Sequence, residues 1–502
     1  TFVSAVEKYL GKDYPGLKFI AEQKQRRGQF KAADLPTILE YCKSECHTLV
    51  ALVTQLRDYL ATANLPISRW DGAGACAAAL LKREGILEHK GQNAPPEVMR
   101  AAQHAYAGGR SEIMKYGNAA NTPIFHYDIN SAYPAAMLKL PSFKRGRWIY
   151  KAGISEPVYS DQFALYHVEW KFADADMYPL FWRSHDSSIF YPAQGRGWYW
   201  APEISVTLEA LANKTIRGQF KILGLWEWQT TNTEKPFAFL PALYEQRKEW
   251  KAQNIGAEKV LKLAINSCYG KLAQHLGGTA DEPPRYHKLE WAGYITSLTR
   301  ATLYKAIMPA LKKKAAIMVA TDAIYSLTPL ELPTGDKLGA WESSPHTGIT
   351  VVQSGVYWTH NGKENPKIFC RGFDKGSLDL KKIVTAWKAG KKHYRASLTR
   401  FITMGSALQG TKGFIKWREW RKAPRELSLT VTGTKRIEAI NKPRPHEKLI
   451  ATYPATPASW IFGQRDSAPY PLPWDDPTGD RTPLLDGAPL HIVEAEAADS
   501  AL

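Results

Sequence analysis

Apolar residues recur at helical spacing through the first sixty positions of the chain: Leu35, Ile38, Leu39, Cys42, Leu49, Leu52, Val53 and Leu56 fall near one repeating face. Asp34 ahead of Pro36 supplies a start signal for that helix. A small-residue run from Ala73 to Leu81 predicts a tightly packed helix, and Gln92 to Pro96 reads as a loop. The period then changes. Ile124, Phe125, Tyr127 and Ile129 make a β-prone run, and Leu165 to Trp170 and Ile222 to Trp228 read as strands that fit one sheet. Helical spacing returns at Leu243 to Ala252, Glu258 to Cys268 and Tyr294 to Leu311. Two short strands follow, Ile317 to Ala320 and Ile324 to Leu327, joined by a turn that carries Thr321 and Asp322. The pattern predicts a mixed α/β (α+β) chain.

Length and charge narrow this. A chain of 502 residues exceeds one ordinary domain, and roughly three to four units are expected. No apolar run approaches the ~20 residues that span a bilayer, so a membrane is not an expected partner. The net charge of +18 points to a polyanion, nucleic acid first. The charge is also concentrated: Lys388, Lys391, Lys392, Arg395, Arg400, Lys412, Lys416, Arg418 and Arg421 interleave with Tyr394, Trp417 and Trp420, with acidic residues nearly absent. Cations on phosphates and aromatic faces against sugars or bases would use that composition; a solvated basic face is the alternative, and the overall charge favours binding. After about Pro457 the chain turns Pro-rich and then acidic (Asp475, Asp476, Asp480, Glu494, Glu496, Asp499) and reads as a tail. The five cysteines lack paired CxxC clusters and read as free thiols of a reducing compartment; Cys42, Cys46 and His47 lie at helical spacing in a Leu-rich segment, which favours a plain helix over a zinc site. The chain opens on Thr1 rather than Met, with no signal-peptide pattern, and reads as a fragment or as the numbering of an ordered part.

Candidate chemistry starts at FHYDINSAYP, where a strand carrying Asp128 breaks into a Ser/Ala/Tyr/Pro turn before a helix. A carboxylate beside free backbone N–H groups can hold a divalent metal and a polyphosphate together, although aspartates at strand ends more often serve a turn. In KLAINSCYG, Lys262 and Asn266 are four apart on one helix face, with Tyr269 a turn later. Arg247 and Lys251 in QRKEWK share that spacing on the preceding helix. Three cations on two facing helices suit a triphosphate; pairing of Arg247 and Lys251 with Glu245 or Glu249 on a surface helix is the alternative. AYAGGR, Ala105 to Arg110, is either an ordinary glycine turn or a place where backbone approaches something closely.

Together and in this order, the motifs resemble those of the family B DNA polymerases. DINSAYP is similar to the family's motif A, KLAINSCYG to motif B and VATDAIYS to motif C; AYAGGR resembles its YxGG segment, QRKEWK its fingers motif, and Leu338 to Glu342 the segment after motif C. The resemblance spans about 105 to 375. It implies a right-hand fold: a helical N-terminal region with a possible exonuclease remnant (1–105), palm (106–235 and 282–380, one sheet), fingers (236–281), a basic thumb (381–450) and the C-terminal tail (451–502). It also implies a template-directed DNA polymerase that adds deoxynucleotides to a 3′ hydroxyl, of phage, plasmid or mobile-element type and acting in the host cytoplasm. Expected partners are primed or single-stranded DNA, dNTPs, and a protein primer or replication accessory protein.

The site residues follow from the same resemblance. Asp128 and Asp322, with Ile129, would bind two Mg²⁺ ions, with Mn²⁺ as an alternative. Ser131, Ala132, Tyr133, Arg247, Lys251, Lys262 and Asn266 would bind the nucleotide, with Tyr133 excluding a 2′ hydroxyl. Tyr269, Gly270, Tyr106, Gly108, Gly109 and Thr321 would line the base pair and template, and Tyr357, Lys391, Lys392 and Arg395 the primer and duplex. The chain departs from the family in three places. Motif C has Ala320 and Ala323 in place of Asp and Ser. The primer-gripping Lys-x-Tyr becomes Gly355-Val356-Tyr357 without its Lys. Residues 1–60 offer only Tyr41-x3-Glu45 of an exonuclease, which is therefore expected upstream of Thr1 or not at all. These departures keep open a catalytically weakened nucleic-acid-binding homologue and a polymerase specialised for chain initiation, protein-primed or de novo.

Overall fold

The computed structural model describes residues 2–429 except 27–28, 120, 153–157, 160, 174, 184–188, 275–281, 363–364 and 403–418, together with strands at 437–438 and 465–468. The chain opens with helices α1 Phe2–Tyr9, α2 Leu17–Arg26, α3 Leu35–Thr62, α4 Ala73–Arg83, α5 Ile86–His89 and α6 Pro96–His104. Helix α3 begins at Leu35 with Pro36 in its first turn, where the missing N–H of proline is tolerated. Strands β1 Arg110–Ile113, β2 Lys115–Ala119 and β3 Phe125–Ile129 lead to the short helix α7 Ala132–Met137. Next come β4 Arg147–Ala152, β5 Ala164–Phe172, β6 Trp182–Arg183, β7 Ile189–Phe190, β8 Gln194–Trp200, α8 Ala201–Ala212 and β9 Gly218–Gln229. Helices α9 Leu240–Ala252, α10 Glu258–Leu272 and α11 Leu289–Lys312 precede β10 Ala316–Thr321, β11 Ala323–Ser326, β12 Trp341–Ser343, β13 Gly348–Gln353, β14 Val356–His360 and β15 Lys367–Cys370. Helix α12 Leu380–Lys388 and the hairpin β16 His393–Ile402 with β17 Glu419–Ser428 follow, then β18 Ile437–Glu438 and β19 Arg465–Ala468. None of the helices among the described residues is long and apolar enough to cross a membrane.

The strands do not form the single sheet expected of 106–235 and 282–380. A five-stranded antiparallel sheet runs β1-β10-β11-β3-β12, a second β15-β14-β13-β2-β19-β18, and a third β4-β9-β5-β8. Strands β5 and β9 do share a sheet, as their patterns suggest, but with β4 and β8 rather than β3. The reason lies in the period of two along these strands. Tyr166, Val168, Tyr199 and Leu225 point into one core, while Leu165 and Trp200, with the partly buried Trp148, Trp226 and Trp228, fill another. A sheet packed on both faces in this way is a layer of its own. The region read as a tail also needs correction, because β19 pairs with the edge of β2, Arg465 opposite Tyr116, and covers ladder groups that would otherwise be open. Lys412, Lys416, Trp417 and Arg418 of the basic segment, and most of 451–502, lie outside the described residues.

Helix α11 is buried on nearly every side and ties these layers together. It places Arg300 in the interior, 1% exposed, against Glu203 of α8 at 2.9 Å. The same guanidinium donates to the carbonyls of Ala107 and Gly108, so the strand-like AYAGGR segment hangs from a buried charge. Arg110 in that segment is also interior, bound to Glu112 at 2.6 Å and to the Tyr178 carbonyl, and is therefore structural. Two charges in an apolar layer hold only while each is fully hydrogen-bonded. Arg300→Met should lower unfolding free energy by about 3–5 kcal/mol in chemical denaturation, with partial recovery on adding Glu203→Gln; a loss below about 1 kcal/mol would show that the pair is not an anchor.

Candidate active site

The site is built where β3, β11 and β12 lie side by side. Ala323 stands opposite Asp128, and the Ile129 N–H donates to the Asp322 carbonyl at 3.0 Å, so Asp128 on β3 lies beside the turn that carries Asp322. Asp322 occupies the tight link between β10 and β11. Before it, Thr321 has φ +62°, an outlying conformation for a β-branched residue. On the other side of β3, Glu342 of β12 faces Asp128 in register, a carboxylate that the sequence reading quoted but left without a role.

No Lys, Arg or His forms an ion pair with Asp128 or Asp322 among the described residues. Burial, then the charge of Asp322 and then that of Glu342, pushes the Asp128 carboxyl up to about 8. Burial raises Asp322 to about 6, with its backbone hydrogen bond and the Arg371 guanidinium pulling the other way. Half-buried carboxylates without an ion-pair partner, whose charges repel one another, fit a divalent cation. Among the described residues no cluster of three or more His, Cys, Asp or Glu is arranged as a metal cage. Two carboxylates suffice for Mg²⁺, which is ordinarily held by one or two of them plus waters and substrate phosphates.

Residues of the turn after β3 meet α10 and the glycine segment. Ser131, at φ +50°, precedes α7 and its hydroxyl lies 3.5 Å from the Asn266 side chain, while Ala132 is buried. The Tyr133 ring packs on Tyr269 at 4.5 Å between centroids, and the Tyr269 hydroxyl shares a hydrogen bond of 2.9 Å with Tyr106. Arg183 donates to the Tyr106 carbonyl. The close-approach reading of AYAGGR is the one that fits: a Cβ on Gly109 would lie 2.7 Å from Thr321 Cγ2 and 3.0 Å from the Tyr133 hydroxyl. Side chains from two motifs, Tyr133 and Thr321, therefore converge on Gly109. At Gly270 a Cβ would meet nothing within 4 Å, so packing within the chain does not demand that glycine.

The cations divide. Arg247 reaches across the helix pair to Glu258 of α10, at 3.3 Å, rather than pairing with Glu245 or Glu249 on its own helix. Lys251 and Lys262 form no ion pair among the described residues. Burial lowers the Lys262 pKa, with Arg247, Lys8 and Lys251 acting in the same direction and Glu258 against them. Such a cluster of like charges is stabilised by an anion. Farther away, Lys391, Lys392 and Arg395 lie exposed at the start of the β16–β17 hairpin. Tyr357 is buried instead, stacked on Phe369 at 4.7 Å with its hydroxyl 3.3 Å from that of Tyr325.

The sequence reading gave no role to Arg300 with Glu203 or to Arg371. Their partners lie some fifty to two hundred positions away in the chain, and no local spacing signals such pairs. Tyr41-x3-Glu45 sits on α3 with Tyr41 buried and Glu45 bound to Lys24 at 2.6 Å.

The raised carboxylate fixes a pH dependence. Between its ordinary value of 3.8 and about 8, the folded chain keeps a proton on Asp128 that the unfolded chain has released. Stability without a divalent cation is therefore full below that window and falls as pH rises through it. In the presence of a chelator the Tm should drop between about pH 5 and about pH 8, and most of that drop should vanish in Asp128→Asn. An equal drop in wild type and variant would contradict the assignment.

With this geometry in hand, the likeness to known proteins can be stated. The sequence model of the family described as DNA polymerase type B, organellar and viral, matches residues 12–281. The primer-independent DNA polymerase PolB of Escherichia coli is 27% identical over 244 residues, 45% of this chain and 28% of that protein. A DNA polymerase of Acidianus bottle-shaped virus (isolate Italy/Pozzuoli) is 24% identical over 302 residues, 59% of this chain and 44% of the viral protein. The chain thus spans less than half the length of these two relatives. Among solved structures, Phi29 DNA polymerase in an orthorhombic crystal form superposes with a TM-score of 0.52 at 19% identity, covering 73% of this chain and 70% of that one. The same polymerase with primer-template DNA and incoming nucleotide gives 0.53 at 15% identity, covering 80% and 73%. Two aspartates without ion-pair partners among the described residues, one on β3 and one in the β10–β11 link, the glycine segment packed against that link, and a family match over more than half the sequence lead to one conclusion: the chain belongs to the type B DNA polymerases of the organellar and viral group.

Proposed function

We propose that this chain is the polymerising core of a template-directed DNA polymerase, joining a deoxynucleotide to a 3′ hydroxyl. The observation that carries the reading is the meeting of Asp128, on β3, with Asp322, in the β10–β11 link, neither of them in an ion pair among the described residues. Divalent ions held there, two Mg²⁺ in this reading, would supply an activated 3′ oxygen and neutralise the triphosphate during in-line displacement.

The protein's own residues position and select. Asp128 and Asp322, with the backbone at Ile129, form the acidic floor, and the turn Ser131 to Tyr133 faces the nucleotide. Arg247, Lys251 and Lys262 on α9 and α10 neutralise the β and γ phosphates as charge develops on leaving, so these helices act as fingers and the five-stranded sheet as palm. Tyr133, braced by Tyr269, leaves no room for a 2′ hydroxyl. Asn266, Tyr269 and Gly270 border the nascent base pair, and Tyr106, Gly108, Gly109 and Thr321 the template. Lys391, Lys392 and Arg395 lie along the primer and duplex, with the β16–β17 hairpin as thumb.

A second reading is chain initiation without a primer. It is favoured by the Escherichia coli relative, whose name describes it as primer-independent, and by Gly355 where a primer-gripping Lys would stand.

Primer extension on a DNA template with Mg²⁺ tests the first reading. Wild type should extend, and Asp128→Asn and Asp322→Asn should each lose about a thousandfold or more in rate. A wild-type chain that binds primed DNA yet adds no nucleotide would refute it. Leaving out the primer tests the second reading, since template-length product should persist. Tyr133→Ala should relax discrimination against ribonucleotides by about tenfold or more, and unchanged discrimination would place the sugar gate elsewhere.

A further inference from the structure

Two of the chain's departures from its family fall at one place in the fold. Ala320, where a carboxylate is expected, pairs with Ser111 of β1, and the Ser111 hydroxyl lies 2.9 Å from that of Ser354, next to the Gly355 that replaces the Lys. Gly355 has φ +78°, and a Cβ there would lie 3.1 Å from Arg371 Cβ and 3.4 Å from its Cγ and Cδ. A side chain at 355 would therefore be strained by its backbone and would press Arg371 aside by a few tenths of an ångström.

Arg371 follows β15 and is held over this spot. Its N–H donates to the Gly355 carbonyl at 2.8 Å, and its guanidinium donates to Thr321 Oγ1 at 3.1 Å. Thr321 is the left-handed residue that aims Asp322, trapped on its other side by Gly109. The positive charge also lowers the proton affinity of both Asp322 and Tyr357. The cation thus stands between the acidic turn and the tyrosine that survives from the primer grip. The adjoining segment carries a second cation, Arg425 of β17, bound to the Gly372 carbonyl at 2.9 Å and lying over the Phe373 ring.

We propose that Arg371 is the primer-strand cation of this chain, contacting a backbone phosphate at the 3′-terminal end of the growing strand while bracing the Thr321 turn. The planar fork of a guanidinium has donors enough to hold Thr321 and a phosphate oxygen together, which a lysine ammonium at the end of a flexible stem does less well. The inference rests on the polymerase reading above and adds to it the residue that grips the primer end.

The test is equilibrium binding of a fluorescent primer-template and of the unprimed template to the full chain, without nucleotide, over a series of KCl concentrations. Arg371→Met should weaken binding of primed DNA several-fold and reduce the slope of log affinity against log salt by about one, leaving the unprimed template unchanged. Arg371→Lys should keep the slope. A full slope in Arg371→Met, or equal losses in both variants without a change of slope, would mean that Arg371 only braces the turn and would overturn the proposal. A wild-type chain that extends primers while Arg371→Met binds them normally would refute this inference alone. A wild-type chain that binds neither DNA would remove the polymerase reading and this inference with it.

Discussion

Mutual repulsion between two half-buried carboxylates is the constraint around which the rest of this structure is arranged. Asp128 and Asp322 are brought together by the pairing of β3 with β11 and are left without an ion-pair partner. Burial raises both, and Glu342 across the strand adds to the pressure on Asp128. A fold keeps such an arrangement only if the surrounding scaffold over-determines it. The scaffold does so through Arg300, which ties the glycine segment to α8 and α11, and through Gly109, whose missing side chain makes room for Thr321 and Tyr133.

A cluster of the opposite sign lies on α9 and α10. Burial, and then the charges of Arg247, Lys8 and Lys251, make the Lys262 ammonium less stable as a cation than in water. An acidic floor and a basic pair of helices, each unfavourable by itself, are both relieved by a cation bound with a polyphosphate. That reciprocity is the physical content of the polymerase reading.

Much of this was legible in the sequence wherever the signal was local. The 3.6-residue period located α3, α9, α10 and α11, and the period of two located β5, β9, β10 and β11. The resemblance put Asp128, Asp322, Tyr133, Asn266 and Tyr269 into one site, and their contacts agree with that grouping. Long-range information was missing. Alternation along β5 and β9 gives no indication that their two faces serve two different cores, so one sheet was expected where several form. The strand at 465–468 lies in a Pro-rich stretch and pairs with the edge of β2, more than three hundred positions earlier. Arg371 was invisible for the same reason: its significance comes from Gly355 and Thr321, and neither is a sequence neighbour.

The central claim is that Asp128 and Asp322 form one carboxylate pair built for a divalent cation, with Asp128 protonated near neutrality until the cation arrives. Calorimetric titration of Mg²⁺ or Mn²⁺ into the chain at neutral pH, repeated in buffers of differing ionisation enthalpy, counts the protons released on binding. The account predicts release of about one proton per chain, abolished in Asp128→Asn. Binding with no proton release, or release unchanged in Asp128→Asn, would contradict it.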